Sequence, residues 1–508
     1  MPVGTGIFSI EHSRQALYRQ KPTHAMSELS PRTVQDYIDE APRWPDNTVL
    51  SDVPLTKMQW RIWGLATAGK FFEGMVVFMT GVALPLMSLE FHLRPDEKGL
   101  VGAASLFGIL IGATVLGGLA DVVGRKFMFI SEMMLFTLFL ILVSLSPNFF
   151  WTIIFLFGMG VALGCDYPTA HLMISESIPS RIRGRLVLSA FGFQAVGALA
   201  GTLLGYLILR EKASISDWRW MYAAAIIPAI LVIIGRFFIT ESAHWHMSLG
   251  KTVLAQREVE KLLRREPIYP KQVILTGEPL HPKAGRMSFG CLFSTKAIRR
   301  ATILAAVPWF LQDLSTYGIG MFTPTILATS IGAPNTDATN LSDVIFQDML
   351  GAKGAAAIDL LLIVGIVGAV IFADWIGRIK LQIIGFIGCA LGLFIASCSV
   401  YSAGSQKIAF IFTGFIIFNF MTNLGPNAMT YLIAGEVFPT RFRGIGAGFA
   451  ASFAKIGAVL TAYLFPVLLQ HIGTSTLLYI LVLASLLGAW VTWQFRIETK
   501  GRNLESLE

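Results

Sequence analysis

Charge is scarce in this 508-residue chain: Asp, Glu, Lys and Arg make up 14% of it, where an ordinary soluble protein carries about a quarter. With so little charge and 54% hydrophobic residues, a compact soluble enzyme and a fibrous protein are both excluded. Cysteine is equally sparse. The four present, Cys165, Cys291, Cys389 and Cys398, show no CxxC or metal-ligand spacing, so neither a disulfide framework nor a metal site is expected. A glycine-rich phosphate loop is also missing, which removes ATP as a driving force, and no cofactor is expected. The first 58 residues lack the basic start, short apolar core and cleavage site of a secretory leader. The first apolar segment is therefore expected to direct its own insertion.

What is present is a series of twelve apolar segments, near 60–88, 98–120, 127–145, 149–176, 187–209, 219–239, 299–329, 354–376, 381–400, 407–435, 445–470 and 473–495. Each suits a membrane-spanning helix. A polar stretch rich in Lys, Arg and Pro separates the sixth from the seventh, so the chain divides into an N-terminal segment 1–58, a six-helix bundle 59–239, a middle loop 240–298, a second bundle 299–495 and a tail 496–508. The 40 basic residues against 32 acidic ones give a net charge of +8. That excess sits in alternate connections: Arg125 and Lys126, Arg181, Arg183 and Arg185, Arg378 and Lys380, Arg441 and Arg443, and the middle loop. Such a distribution sets membrane orientation and does not call for nucleic acid. Both termini and the middle loop are expected on the cytoplasmic face of a plasma or bacterial inner membrane.

An internal repeat organises the chain. GGLADVVGRK after the second segment returns as FADWIGRIK after the eighth, with Asp121 and Asp374 253 positions apart; ESIPSRIRGRL after the fourth returns as EVFPTRFRGIG after the tenth, offset by 260. Two motifs recurring at nearly one offset and at corresponding helix ends imply two homologous halves, a design found in secondary transporters. Carboxylates at these helix ends can meet guanidinium groups from neighbouring helices and latch one conformation. Asp121, Arg125, Glu176, Arg181, Arg183, Asp374, Arg378, Glu436, Arg441 and Arg443 are the candidate gate; orientation beside lipid headgroups is the alternative use of these arginines.

At these motifs the sequence resembles the major facilitator superfamily, and the closing RIETKGRNLESLE is similar to the PETKGR tail of its sugar-porter-like branch. The resemblance covers residues 60–508. It implies an all-α membrane protein, twelve transmembrane helices in two pseudo-symmetric six-helix bundles that rock about a central site, and a transporter instead of an enzyme.

Ionisable groups inside a bilayer cost a few kcal/mol, roughly, and each calls for a partner, a wet cavity or a function. The first segment carries Lys70 and Glu73, the fourth Asp166 and His171, the seventh Asp313, the eighth Asp359 and the eleventh Lys455; Gln194, Asn419, Asn423 and Asn427 add neutral polar groups. Their arrangement resembles the phosphate:proton symporters. GCDYPTA parallels that subgroup's GxDYPLS, and WFLQDLSTYG sets Trp309, Asp313 and Tyr317 at i, i+4 and i+8 on one helix face. GPN supplies Asn427 and SFAKIGA supplies Lys455. The resemblance implies a substrate site of Tyr167, Gln194, Trp309, Asp313, Tyr317, Asn427 and Lys455, with Glu73, Asp166 and Asp313 coupling protons. The first segment departs from it, since FEGMVVF stands where the subgroup has a run like TDAYDLF.

Chemistry points the same way: a tetrahedral oxyanion needs a cation and several donors in a dry pocket. A carboxylate beside a bound anion is repelled while ionised, so protonation accompanies binding. The expected partners are a small anion, inorganic phosphate first, together with protons and the lipid bilayer. A proton-coupled sugar or organic-acid carrier is the alternative, favoured by the tail and the altered first segment; a transporter-like solute sensor is a third. Aromatic packing by Trp309 and Tyr317, and interhelical hydrogen bonds from Gln194 and Asn427, are the structural alternatives for those residues. Asp359 is expected at an interface near the outer end of its helix. Gly197, Gly201 and Gly205, with Gly108 and Gly112, form rows suited to close helix contact.

Overall fold

The computed structural model of the chain describes residues 33–39, 54–116, 119–211, 214–264, 275, 289–331, 341–438 and 443–499. Among them there is no strand. Six spanning helices come first: α1 Lys57–Phe91, α2 Pro95–Ile111 with a π-helical continuation Gly112–Leu116, α3 Arg125–Ser144, α4 Phe149–Ser177, α5 Ser180–Glu211, and α6 in two pieces, Trp218–Ala224 and Ile226–Phe237. The second six are α7 Lys296–Ile331, α8 Leu341–Ile376, α9 Arg378–Ser397, α10 in two pieces Gly404–Leu424 and Pro426–Glu436, and α11 and α12 within the run Arg443–Gln494.

That last run has 52 residues and non-helical backbone at Gly473. At 1.5 Å per residue it would reach about 78 Å, more than twice a hydrocarbon core of about 30 Å, so Gly473 marks the turn between two spans. Ten of the described helices are long and apolar enough to cross a membrane, counting this run once. Splitting it, and adding the 36-residue α7 whose apolar run is interrupted by Gln312, Asp313, Ser315 and Thr316, gives twelve. The protein is a multi-pass membrane protein.

Sequence chemistry fixes where helices start. Thr56 and Gln59 form a reciprocal capping box at the head of α1, each side chain taking the other's backbone N–H at 3.1 and 2.9 Å. The Asn148 side chain accepts from Trp151 N–H at 3.2 Å and opens α4. In the first half α1 packs on α5 and α2 on α4; in the second half α7 packs on α11 and α8 on α10. The halves meet where α2 lies against α11 and α5 against α8. Outward faces stay apolar, with Leu231, Ile371 and Leu483 each more than 60% exposed, as a lipid-facing surface requires.

One expectation is corrected here. Asp359 is 1% exposed and lies midway along α8, where it accepts a hydrogen bond from Thr202 of α5 at 2.7 Å and from Asn419 of α10 at 3.3 Å. A carboxylate there is held by donors from both halves instead of reaching an interface. The glycine rows make the close helix contacts expected of them, inside the first half: a side chain at Gly197 would collide with the Phe71 carbonyl of α1, and one at Gly108 with the Phe157 carbonyl of α4.

Candidate functional site

A narrow cavity of about 20 Å³ lies between the two halves. Each of Tyr167, Gln194, Trp309, Asp313, Tyr317, Asn427 and Lys455 lines it, together with Lys70 and Phe191. Helical periodicity brings Trp309, Asp313 and Tyr317 to the same wall. The break between Leu424 and Pro426 sets Asn427 in the first turn of the next helix, where it donates to Asn423 Oδ1 at 2.6 Å.

Four ionisable side chains from three helices meet here: Lys70, Asp313 and Lys455 line the cavity, and Glu73 touches both lysines. Glu73 of α1, 4% exposed, accepts from Lys70 Nζ at 2.5 Å through one oxygen. Its other oxygen faces Lys455 Nζ at 3.1 Å, the Tyr317 hydroxyl at 2.8 Å and Gln194 Nε2 at 3.5 Å. Lys455 also donates to the Tyr317 oxygen at 2.5 Å and lies 3.4 Å from Asp313 Oδ2. Lys70 sits 4.0 Å from the centre of the Tyr167 ring, a cation–π contact. Two ammonium groups thus oppose two carboxylates at one largely buried site.

Asp166, expected to couple protons here, faces elsewhere. Its Oδ1 pairs at 2.5 Å with Arg236 of α6, which also reaches Glu132 of α3 at 3.2 Å and the Phe129 carbonyl. Arg236 is completely buried, with its guanidinium 3.4 Å from the centre of the Phe129 ring. Neighbours in sequence point about 100° apart on a helix, so Tyr167 enters the cavity while Asp166 ties α3, α4 and α6 together.

Below the cavity, at the end that carries the basic connections, aromatic rings close the floor. Tyr431 of α10 stacks on Phe191 at 4.6 Å and meets Tyr167 and Trp309 edge-on. Its hydroxyl lies 2.9 Å from His171 Nδ1 across the interface between halves. Arg185 and Asp374 make a second bridge there at 3.2 Å, and Thr114 and Ser452 a third at 2.9 Å.

The gate candidates form two matching sets at the same end. Arg125 pairs with Asp121 at 2.8 Å and Glu176 at 3.3 Å; Arg378 pairs with Asp374 at 2.9 Å and Glu436 at 3.3 Å. The preceding glycines, Gly124 and Gly377, have φ of 108° and 99°, a backbone that side chains resist. Glu176 therefore takes Arg125 of α3, although Arg181 and Arg183 are nearer to it in sequence. Arg183 instead donates to Ser180 at 3.1 Å and the Ile178 carbonyl at 3.4 Å, since it lies one turn into α5 and beside the link from α4. Arg441 lies outside the described residues, and of Arg443 only its place at the start of α11 is described.

A third duplicated element was missed in the sequence. Glu241 accepts from the Lys126 backbone N–H at 3.0 Å, and Ser242 donates to Glu176; Glu498 accepts from the Arg378 N–H at 3.1 Å, and Thr499 donates to Glu436 at 2.6 Å. Glu241 and Glu498 are 257 positions apart, as are Ser242 and Thr499. That shared offset was the available signal. Phe191 and Tyr431 carried no such mark, and Lys70 was marked only as a charge inside an apolar segment.

The fold agrees with known proteins. Residues 65–508 match the family described as sugar (and other) transporter. The chain is 26% identical to the probable inorganic phosphate transporter 1-6 of Arabidopsis thaliana, across 91% of this chain and 96% of that one. It is also 26% identical to the glucose transporter GlcP of Staphylococcus epidermidis, across 84% and 91%. Among solved structures, the partially occluded, inward-open xylose transporter XylE from E. coli superposes with a TM-score of 0.70 at 19% identity, covering 88% of this chain and 100% of that one. With the twelve helices, the duplicated motifs and the central cavity, the chain belongs to the sugar (and other) transporter family and has the major facilitator fold.

Proposed function

We propose that this transporter is a proton-coupled symporter of a small anion, with inorganic phosphate the first substrate to test, working by alternating access from a membrane in which the basic end faces the cytoplasm. One observation carries the reading: Lys70 and Lys455 balance Glu73 and Asp313 in one buried cluster at the cavity. A monoanion entering that balanced site adds one uncompensated charge, which costs several kcal/mol or so in a low-dielectric interior. Uptake of one proton by a carboxylate restores neutrality, so anion and proton travel together.

The neutral donors Gln194, Tyr317 and Asn427 suit an oxyanion's remaining lone pairs. They suit sugar hydroxyls as well, and with the glucose-transporting relative this supports a second reading, a proton-coupled sugar or organic-acid carrier. Bridges at the basic end, Arg185 to Asp374 and His171 to Tyr431, would part when the cavity opens to the cytoplasm. Uptake of labelled phosphate, a monocarboxylate and a hexose into liposomes with an inward proton gradient separates the readings. Accumulation of an anion supports symport of anions, and accumulation of hexose alone overturns it.

A further inference from the structure

The Glu73 carboxylate is surrounded as a bound ligand would be. Donors from four helices converge on it: Lys70 from its own α1, Gln194 from α5, Tyr317 from α7 and Lys455 from α11. A carboxylate offers about four lone-pair sites; three of these donors crowd one Glu73 oxygen and Lys70 takes the other. Two cations and two neutral donors in a closed pocket are the recognition set of an oxyanion. An ion pair alone would need one partner.

Resting on the anion-symport reading, we propose that Glu73 is an internal stand-in for the transported oxyanion: between transport events its carboxylate engages the donors that would hold the anion, and an incoming carboxylate or phosphate group displaces it. The arriving oxygens take over Lys70, Lys455, Tyr317 and Gln194. Glu73, now beside an anion and without donors, accepts a proton from the water on the open side and swings out as the neutral acid. The exchange balances, because Lys70 and Lys455 then face Asp313 and the substrate.

The other groups around Glu73 are compatible with this swap. Asp313 keeps its own contact with Lys455 at 3.4 Å. Tyr167 of α4 holds Lys70 over its ring at 4.0 Å, so the ammonium stays in place when Glu73 departs. Asp166, next to Tyr167, is engaged by Arg236 and offers no donor. The stand-in also accounts for the departure of FEGMVVF from the resembled helix: Glu is longer than Asp and lies one turn after Lys70, so both groups reach the same spot.

The test measures binding to the purified full-length chain with two probes in separate arms, inorganic phosphate and benzoate, which distinguish a phosphate from an organic carboxylate. Wild type should take up one proton per anion bound, read with a pH indicator in weak buffer. Its affinity should fall about tenfold per pH unit at the alkaline end, the slope of one linked proton. Glu73→Gln keeps the shape and drops the charge: it should bind benzoate, a monoanion throughout, more tightly near neutral pH, take up no proton with it, and vary by less than about twofold between roughly pH 5.5 and pH 8. Weaker anion binding by Glu73→Gln with the wild-type pH slope intact overturns the stand-in. Anion binding by wild type without proton uptake overturns it as well, even if the variant does not fold. If neither anion binds and a hexose does, the anion reading itself fails.

Discussion

Replacing Lys455 by Ala removes the ammonium that touches three cavity groups: Glu73 at 3.1 Å, Asp313 at 3.4 Å and the Tyr317 hydroxyl at 2.5 Å. Truncating one member of a buried, hydrogen-bonded charge pair costs about 2–5 kcal/mol, roughly thirty-fold to several-thousand-fold in affinity. Lys70 remains on the other Glu73 oxygen, so part of the positive potential survives and the loss for an anion should fall in the lower half of that range. A neutral sugar loses a single hydrogen-bond partner, about 1 kcal/mol or roughly fivefold. The assay is equilibrium binding and proton-driven uptake of phosphate, a monocarboxylate and a hexose by wild type and Lys455→Ala, with thermal melting to establish that the variant is folded. Folded Lys455→Ala that binds and accumulates an anion as wild type does would refute the electrostatic reasoning.

Asp313→Asn leaves the cavity with one net positive charge, so an anion can bind without a proton; gradient-driven accumulation should be lost while counterflow exchange persists, and full accumulation by the variant would remove Asp313 from the coupling. Arg125→Ala frees Asp121 and Glu176 at the basic end, far from the cavity, and should lower maximal transport rate severalfold with less than about a twofold change in substrate affinity, a split read from uptake kinetics against equilibrium binding. His244, in the short helix Ala243–Ser248 outside the spans, has its pKa held below the usual histidine range by burial, with Arg183 adding to the effect and Glu176 opposing it. The unfolded chain then binds the proton first, near pH 6.5 or so, and stability falls as pH drops through that value; His244→Gln should show a smaller fall in melting temperature between about pH 7.5 and 5.5.

Fold and site were legible to different depths. Twelve spans and two halves could be read because a bilayer demands long apolar runs and because the repeated Asp-Gly-Arg and Glu-Arg motifs survive at nearly fixed offsets. The α7 wall was readable too, since residues four apart share a helix face. Pairing across helices was not. Glu176 is nearer in sequence to Arg181 and Arg183, but the Gly124 turn brings Arg125 to it. Asp166 looked inseparable from Tyr167, yet one helical step turns it toward Arg236, a residue that reads in sequence as an ordinary basic group at a helix end. Tyr431 is one aromatic among many until α10 breaks at Gly425 and sets its ring on Phe191. Each of these depends on the relative rotation of two helices, which no single helix encodes.

The central claim is that a charge-balanced cavity makes anion and proton move together. Its most direct measurement is the proton-to-anion stoichiometry in liposomes: internal pH and labelled phosphate or monocarboxylate followed at once, with the membrane potential clamped. The account predicts that one proton enters with each monoanion and that collapsing the proton gradient abolishes accumulation. Anion entry with no accompanying proton, or hexose accumulation with no anion transport, would contradict it.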